Sequence, residues 1–452
     1  MRDLDFIFDF SVARLAHVDA RAGSVRFLLG TGDHDDGLRA GLHQHEHGAR
    51  PSADERDSAA VPFVRRQFVR RNAGGCRNSA ERISAIELRN SPDLGRMKVI
   101  IAGGGTGGHL FPGIAVAREI QRRDAKSKIL FVGAEQGIEA RIVPKEGFEL
   151  RTLPVGGIKG LGIGRKVRNL MGMVSGVGKA RKILREFKPN VVIGVGGYAS
   201  FPMLCAATLG GCPRVIMEQN AIPGLANRVL GKWVDFAAVT DARTRSYFGA
   251  RAVVTGNPVR PEFKSIAPKA HVEPYTILVF GGSQGAQSIN RAVMEGLGEL
   301  ADWKAQLRFV HQTGERQLEE VKRAYASNGF EADVRTFFNN FHEQYAAADL
   351  IVARSGATTV AEIKAAGRAA ILVPFPFATD DHQTKNARAM VEENAAILIS
   401  NSDLTGKRLA GEIRSILGTP SRLNELETNA RRIAILDAEQ RIVNLVEQAA
   451  RR

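Results

Sequence analysis

The run Gly103-Gly104-Gly105-Thr106-Gly107-Gly108-His109 constrains this chain more than any other segment. It follows the apolar, strand-length stretch Lys98–Ala102 and precedes Ala115–Arg123, whose spacing predicts a helix. Strand, glycine turn and helix make the unit from which parallel sheets with crossover helices are built. Glycines let the backbone approach a ligand closely and take up positive φ. The helix that follows presents unpaired N–H groups and a positive dipole end to an anion. The turn is therefore either an anion cradle or a tight structural corner, and a lone glycine turn does not decide between them. No acidic ribose ligand stands clearly at the end of the second strand, which disfavours a nicotinamide-dependent dehydrogenase.

The same alternation continues along the chain. Ile129–Gly133, Val191–Val195, Val215–Met217 and Phe236–Val239 read as further strands. The theme restarts at Tyr275: Thr276–Phe280 ends in Gly281-Gly282-Ser283-Gln284-Gly285, and Leu307–His311, Val334–Phe337, Leu350–Ala353 and Ala370–Val373 follow. Two α/β halves thus join near Asn257-Pro258-Val259-Arg260-Pro261, where two prolines restrict the chain as in a linker. Asn424–Arg451 predicts a terminal helix or helix pair. The expected organisation is a leader over 1–96, Rossmann-like domains over 97–257 and 258–425, and a helical segment over 426–452.

The leader differs in kind. Its basic residues are all arginine, the first lysine being Lys98, and it holds half of the histidines, including His43, His45 and His47. No carboxylate or cysteine completes a metal site there. Asp33-His34-Asp35 has the letters of a D-x-D motif but no flanking strand. Asp3, Asp5 and Asp9 argue against a transit peptide. The segment reads as loosely ordered, or as the product of a start codon called too early, with Met97 opening the orderly domain. Elsewhere composition is that of a globular chain, with no apolar run long enough to predict a membrane span. A net charge of +15 suits an anionic partner such as a nucleotide, a diphosphate or an acidic membrane surface. Nucleic acid is disfavoured, since zinc-finger spacing, aromatic RNA-binding signatures and long basic stripes are lacking. Cys76, Cys205 and Cys212 form no C-x-x-C pair and fit a reducing compartment, the latter two as packing residues.

Several residues carry chemistry. Histidine is the residue type suited to proton transfer near neutrality, and His109 either accepts a hydroxyl proton or braces the glycine turn. In the second glycine loop, backbone amides and Ser283 suit a diphosphate, as does Arg260 unless it is an ordinary surface arginine. Glu362, in the run Arg354-Ser355-Gly356-Ala357-Thr358-Thr359-Val360-Ala361-Glu362, either accepts ribose hydroxyls or is a solvated helical residue.

Taken in order, Gly103–His109, Gly196-Gly197-Tyr198, Glu218-Gln219-Asn220, Gly256–Arg260, Gly281–Gly285, Arg354–Glu362 and Pro374-Phe375 resemble the MurG-like family 28 glycosyltransferases. The likeness runs from about Met97 to the C-terminus. It implies a glycosyltransferase B fold, two Rossmann-like domains facing across a cleft, with UDP-N-acetylglucosamine bound mainly by the second. It implies that Ser283 and Arg260 contact the diphosphate, that Glu362 holds the ribose, and that Ala357, Thr358, Thr359, Val360 and Ala361 line the nucleotide site. Phe338 would make a backbone contact to uracil. Gln383 and Asn220 would reach the donor sugar; Thr106, Gly107 and Gly108 would face acceptor or sugar, with Tyr198 also in the substrate site. The stretch Pro374–Gln383 departs modestly in length from the family pattern.

The resembled reaction is inverting. The C4 hydroxyl of the N-acetylmuramyl sugar of undecaprenyl-linked lipid I attacks the anomeric carbon, and lipid II and UDP result. His109 is the candidate base, with Glu218 and solvent as alternatives; no metal or cofactor is expected. The acceptor implies peripheral work at the cytoplasmic face of the inner membrane, with septation and cell shape depending on lipid II supply. Ile158–Val174 mixes apolar residues with Lys159, Arg165, Lys166 and Arg168, which suits either docking on anionic lipid or a core helix with a basic face. A UDP-N-acetylglucosamine 2-epimerase and a noncatalytic lipid-binding partner of another transferase are the rival readings.

Overall fold

The computed structural model describes residues 96–155, 163–282 and 285–452; of residues 163–171 and of Thr379 only the backbone is described. The leader, its histidines, Cys76, the 156–162 part of the basic segment, Ser283 and Gln284 lie outside the described residues.

Two parallel sheets are present. Strands β1 (Lys98–Gly103), β2 (Lys128–Ala134), β3 (Glu149–Leu153), β4 (Val191–Gly196), β5 (Arg214–Glu218), β6 (Phe236–Val239) and β7 (Ala252–Val254) form the first, in the order β3-β2-β1-β4-β5-β6-β7. Strands β8 (Tyr275–Phe280), β9 (Leu307–Gln312), β10 (Glu331–Arg335), β11 (Leu350–Ala353), β12 (Ala369–Leu372) and β13 (Ile397–Leu398) form the second, in the order β10-β9-β8-β11-β12-β13. The central strands are continuous apolar runs because helices cover both faces, and each sheet is sandwiched between two buried clusters. In both sheets the order reverses beside the first strand, between β1 and β4 and between β8 and β11. Such switch points open a crevice at the carboxyl ends of the strands.

The expected strands are present, with shifts at the edges. Val334–Phe337 was expected as a strand, but β10 ends at Arg335. As an edge strand it is only half apolar, so its alternation is weak in the sequence. The first helix begins at Gly107, eight residues before the expected Ala115, because glycines hide the apolar spacing of its opening turns. Cys205 and Cys212 are half-buried against the first core, and burial pushes their thiols up to about 11, as suits packing residues.

The linker is part of the core. Val259 and Phe263 are buried under the second sheet, and Arg260 lies over the Phe263 ring at 4.5 Å. The terminal segment is a helix pair, Pro420–Arg432 and Ala438–Ala450. The first packs on the second lobe through Leu423, Leu426 and Ala430, while the last returns to the first lobe through Ile442, Val443, Val446 and Ala449. Arg123 secures that return, donating to Asn444 (2.7 Å), Glu447 (3.1 Å) and the Gln440 carbonyl (2.9 Å). The chain therefore crosses between lobes twice, and the crossings touch: a Cβ on Gly256 would sit 2.7 Å from Ile435.

A buried charge cluster ties the second lobe together away from the cleft. Asp349 accepts from His271 Nδ1 (2.7 Å), Lys269 Nζ (2.5 Å) and the Thr276 amide (2.7 Å), while His271 Nε2 meets Glu427 at 3.1 Å. Hydrogen bonds to the two carboxylates raise the His271 pKa from 6.5 to about 9. A folded-state pKa above the unfolded one means that the stabilisation is complete below pH 6.5 and is lost as pH rises through 9. Urea denaturation across that window is expected to show stability falling with pH in the wild type and not in His271→Gln. Parallel curves for the two proteins would reject the assignment.

Candidate active site

The first glycine turn is shaped by backbone packed on backbone. A Cβ at Gly197, where φ is +83°, would overlap the carbonyl oxygen of Gly104, so the turns after β1 and β4 touch only because both are glycine. Beneath the turn lies Glu139, 1% exposed, which no motif in the sequence marked. Its carboxylate accepts from the Gly105 amide (2.8 Å) and the Ala134 amide (2.8 Å), fixing the loop from inside. The amides of Gly107 and Gly108 open the helix Gly107–Arg123 and find no acceptor among the described residues.

His109 follows in that first turn. Its Nδ1 meets Gln219 Oε1 at 3.1 Å, and its ring lies against Gly196. Glu218, the alternative base, is 3% exposed, and its oxygens are spent on loop structure. Oε1 accepts from the Asn220 amide (3.0 Å), and Oε2 accepts from the Gly224 amide (3.1 Å) and Asn227 Nδ2 (2.9 Å). A carboxylate so saturated braces the turn after β5. Thr106 and Tyr198 are exposed at the mouth of the same lobe.

In the second lobe, the helix Ala357–Ala366 begins with Gly356 as its cap and no side-chain cap bond. The amides of Ala357, Thr358 and Thr359 have no acceptor among the described residues. Val360 and Ala361 face the core, and Glu362 is buried in the next turn. Burial pushes the Glu362 carboxyl up, and the Arg260 guanidinium, 3.0 Å away, offsets this only in part. Phe338 is buried and its N–H donates to Gln312 Oε1 (3.0 Å), so only its carbonyl is left for a base. Gln312 also donates to the Gly282 carbonyl (3.0 Å), joining the second glycine loop to the Phe338 turn. Gln383 Oε1 accepts from the Phe375 amide (2.9 Å), leaving its NH2 group for a hydroxyl. Arg354 is a brace: it donates to the carbonyls of Val373 (3.1 Å) and Pro374 (2.7 Å) and to Ser288 (2.7 Å), and burial lowers its pKa to about 10.

The two lobes meet at these elements. A Cβ on Gly108 would lie 3.8 Å from Thr358 Oγ1, so the two uncapped helix starts abut. The Thr358 hydroxyl is buried without a hydrogen bond among the described residues. Asn386, 5% exposed, spans the junction: it accepts from the Ala221 amide (3.0 Å) and donates to Asn220 Oδ1 (3.3 Å) and to the Ser355 carbonyl (3.2 Å). The structure thus brings His109, Gly108 and Asn220 of one lobe to the face that carries Thr358, Arg260 and Glu362 on the other.

Glu139, Gln219, Gln312 and Asn386 were not singled out in the sequence for a role. Gln219 lay inside a quoted motif; the others act through partners 26 to 165 residues away, or on a loop that only the fold defines. Removing the acceptor in Glu139→Ala strands two amides and is expected to lower the unfolding free energy by about 2–4 kcal/mol, with Glu139→Gln milder. Superimposable urea curves for wild type and the alanine variant would show that the loop does not depend on this carboxylate.

Known proteins match this arrangement. The glycosyltransferase family 28 N-terminal domain matches residues 99–239, and the family's C-terminal domain matches residues 276–443. A UDP-N-acetylglucosamine--N-acetylmuramyl-(pentapeptide) pyrophosphoryl-undecaprenol N-acetylglucosamine transferase of Citrifermentans bemidjiense is 47% identical over 357 residues, 77% of this chain and 98% of the relative. The protein of the same name from Myxococcus xanthus is 47% identical over 74% of this chain and 88% of its own length. Among solved structures, MurG of Acinetobacter baumannii superposes with a TM-score of 0.65 at 30% identity, covering 78% of this chain and 99% of its own. The UDP-GlcNAc 2-epimerase of Neisseria meningitidis, at 13% identity and a TM-score of 0.56, shares the fold alone. The chain belongs to glycosyltransferase family 28, and within it to the MurG transferases.

Proposed function

We propose that this chain transfers N-acetylglucosamine from UDP-N-acetylglucosamine to the C4 hydroxyl of the N-acetylmuramyl sugar of undecaprenyl-linked lipid I, releasing lipid II and UDP. The observation that carries the reading is the meeting of two uncapped helix N-termini, at Gly107–Gly108 and at Ala357–Thr359, across the lobe junction. Unpaired amides and converging positive dipole ends favour a diphosphate there, and stabilise it most as it departs with added charge.

In the proposed step His109 Nε2 takes the acceptor hydroxyl proton. The oxygen bonds to the anomeric carbon from the face opposite the leaving group, giving inversion. The bond from that carbon to the diphosphate oxygen breaks, and UDP leaves with the electron pair. Arg260, which pairs with Glu362, would meet the diphosphate, and Ser283 would join it from the second glycine loop. Glu362 accepts ribose hydroxyls, Gln383 and Asn220 reach the sugar, and the Phe338 carbonyl receives the base. An epimerase would make no use of an acceptor.

Work on a lipid substrate calls for a bilayer surface. We propose that the chain works peripherally on anionic lipid at the cytoplasmic face of the inner membrane, and that the sequence segment carrying Lys159, Arg165, Lys166 and Arg168 supplies the charge that binds it. Among the described residues no helix is long and apolar enough to cross a membrane.

Incubation with UDP-N-acetylglucosamine and a lipid I analogue is expected to yield disaccharide and UDP, and His109→Ala to lower kcat by about 10²–10⁴-fold. Formation of the 2-epimer, or no turnover, would reject the proposed function; near-normal turnover of a folded His109→Ala would reject the base alone. Reversing the four basic residues of the 159–168 segment to acids is expected to abolish sedimentation with acidic vesicles while leaving turnover of a soluble acceptor intact. Undiminished vesicle binding would remove that surface.

A further inference from the structure

Gln219 has no part in the mechanism above, yet it is 3% exposed and both ends of its side-chain amide are engaged. Its Nε2 donates to the Val195 carbonyl at 3.1 Å, and its Oε1 lies 3.1 Å from His109 Nδ1. These two contacts fix each other. The Val195 carbonyl only accepts, so the NH2 group must face it, and the opposite amide orientation would set oxygen against oxygen. The oxygen that remains toward the imidazole can only accept. A neutral imidazole meets it only when Nδ1 carries the proton, which leaves Nε2 with the lone pair.

The surroundings hold the ring in this pose. Gly196 lies beneath it with φ +93°, and a Cβ there would come within 2.8 Å of Nδ1. Val195 and Gly196 close β4, Gln219 follows β5, and His109 opens the helix after β1. Three neighbouring elements of the sheet thus converge on one nitrogen. Among the described residues Nε2 makes no hydrogen bond. Glu218 precedes Gln219 but spends its carboxylate on the Asn220 and Gly224 amides and on Asn227.

We infer that Gln219 is a positioning residue that holds His109 in the Nδ1–H tautomer, with Nε2 turned out as the proton acceptor. This rests on the reading of His109 as the base. A neutral amide orients the ring without supplying charge, so the base stays free to release its proton once the product departs. A carboxylate at the same place would bind the imidazolium more tightly.

Nitrogen NMR on protein labelled with ¹⁵N-histidine, with the His109 signals assigned by their loss in His109→Ala, reads the tautomer directly. In the wild type above the imidazole pKa, Nδ1 is expected to be the protonated nitrogen. In Gln219→Met, which keeps length and apolar bulk, the two nitrogens are expected to move toward the averaged pattern of a solvated ring, and kcat to fall about tenfold with both KM values little changed. In Gln219→Glu an acceptor is restored: Nδ1–H is expected to persist, and the acid limb of kcat to move up by about 1–3 pH units. Identical His109 nitrogen signals in all three proteins would overturn the inference. If the signals follow residue 219 while His109→Ala keeps its turnover, tautomer control stands and the base assignment falls; if His109→Ala is inactive and the signals ignore residue 219, the reverse holds.

Discussion

The site depends on where the backbone amides of its loops find acceptors. Turns at the carboxyl ends of parallel strands expose N–H groups in places that water reaches poorly, and each unsatisfied one is costly. Here buried side chains take most of them. Glu139 holds the amides of Gly105 and Ala134, Glu218 those of Asn220 and Gly224, Gln312 that of Phe338, and Asn386 that of Ala221. Among the amides these acceptors leave over are those of Gly107, Gly108 and Ala357–Thr359. The same division separates the two candidate bases: Glu218 is occupied as an acceptor of amides, whereas His109 has one nitrogen anchored and the other without a hydrogen bond among the described residues.

Much of this was legible in the sequence. Buried parallel strands announce themselves as apolar runs, and glycine turns after β1, β4 and β8 are visible because close backbone contact tolerates nothing larger. The order of the motifs carried the family. The acceptors were not legible: a glutamate at 139 or an asparagine at 386 looks like any polar helical residue until the fold places an amide beside it. Edge strands escaped for a related reason, since β3, β7 and β13 are short and only partly buried. The return of the Ala438–Ala450 helix to the first lobe is a long-range packing choice, and its apolar face alone does not say which lobe it covers.

The lobes are joined by contacts of unequal weight. Arg228–Asp380 and Arg243–Glu392 bridge them at the surface, where solvent screens charge and such pairs contribute little. Asn386 is buried, and separation of the lobes would strip its bonds to Ala221 and Asn220 together. Its third bond, to the Ser355 carbonyl, lies within the second lobe and would survive. The asparagine therefore travels with the second lobe and reports closure by what it meets on the first. Because Asn220 is also a proposed contact of the donor sugar, closure and donor engagement share one side chain.

Arg260 carries the same coupling from the opposite side. It directly follows the first crossing between lobes, so any change in the angle of that crossing displaces its guanidinium. It pairs with Glu362 in an unequal arrangement: the arginine side chain is 48% exposed and the carboxylate 8%. One partner keeps its hydration while the other has lost it, and the Glu362 carboxyl is accordingly held above its ordinary pKa. On the proposed reading, ribose hydroxyls would give the carboxylate the donors it lacks and free the guanidinium for the diphosphate. The unfavourable burial of Glu362 then becomes selectivity, since a ligand with charge but no paired hydroxyls would leave that carboxylate uncompensated. On that reading a single residue of the crossing segment would link nucleotide recognition to lobe closure.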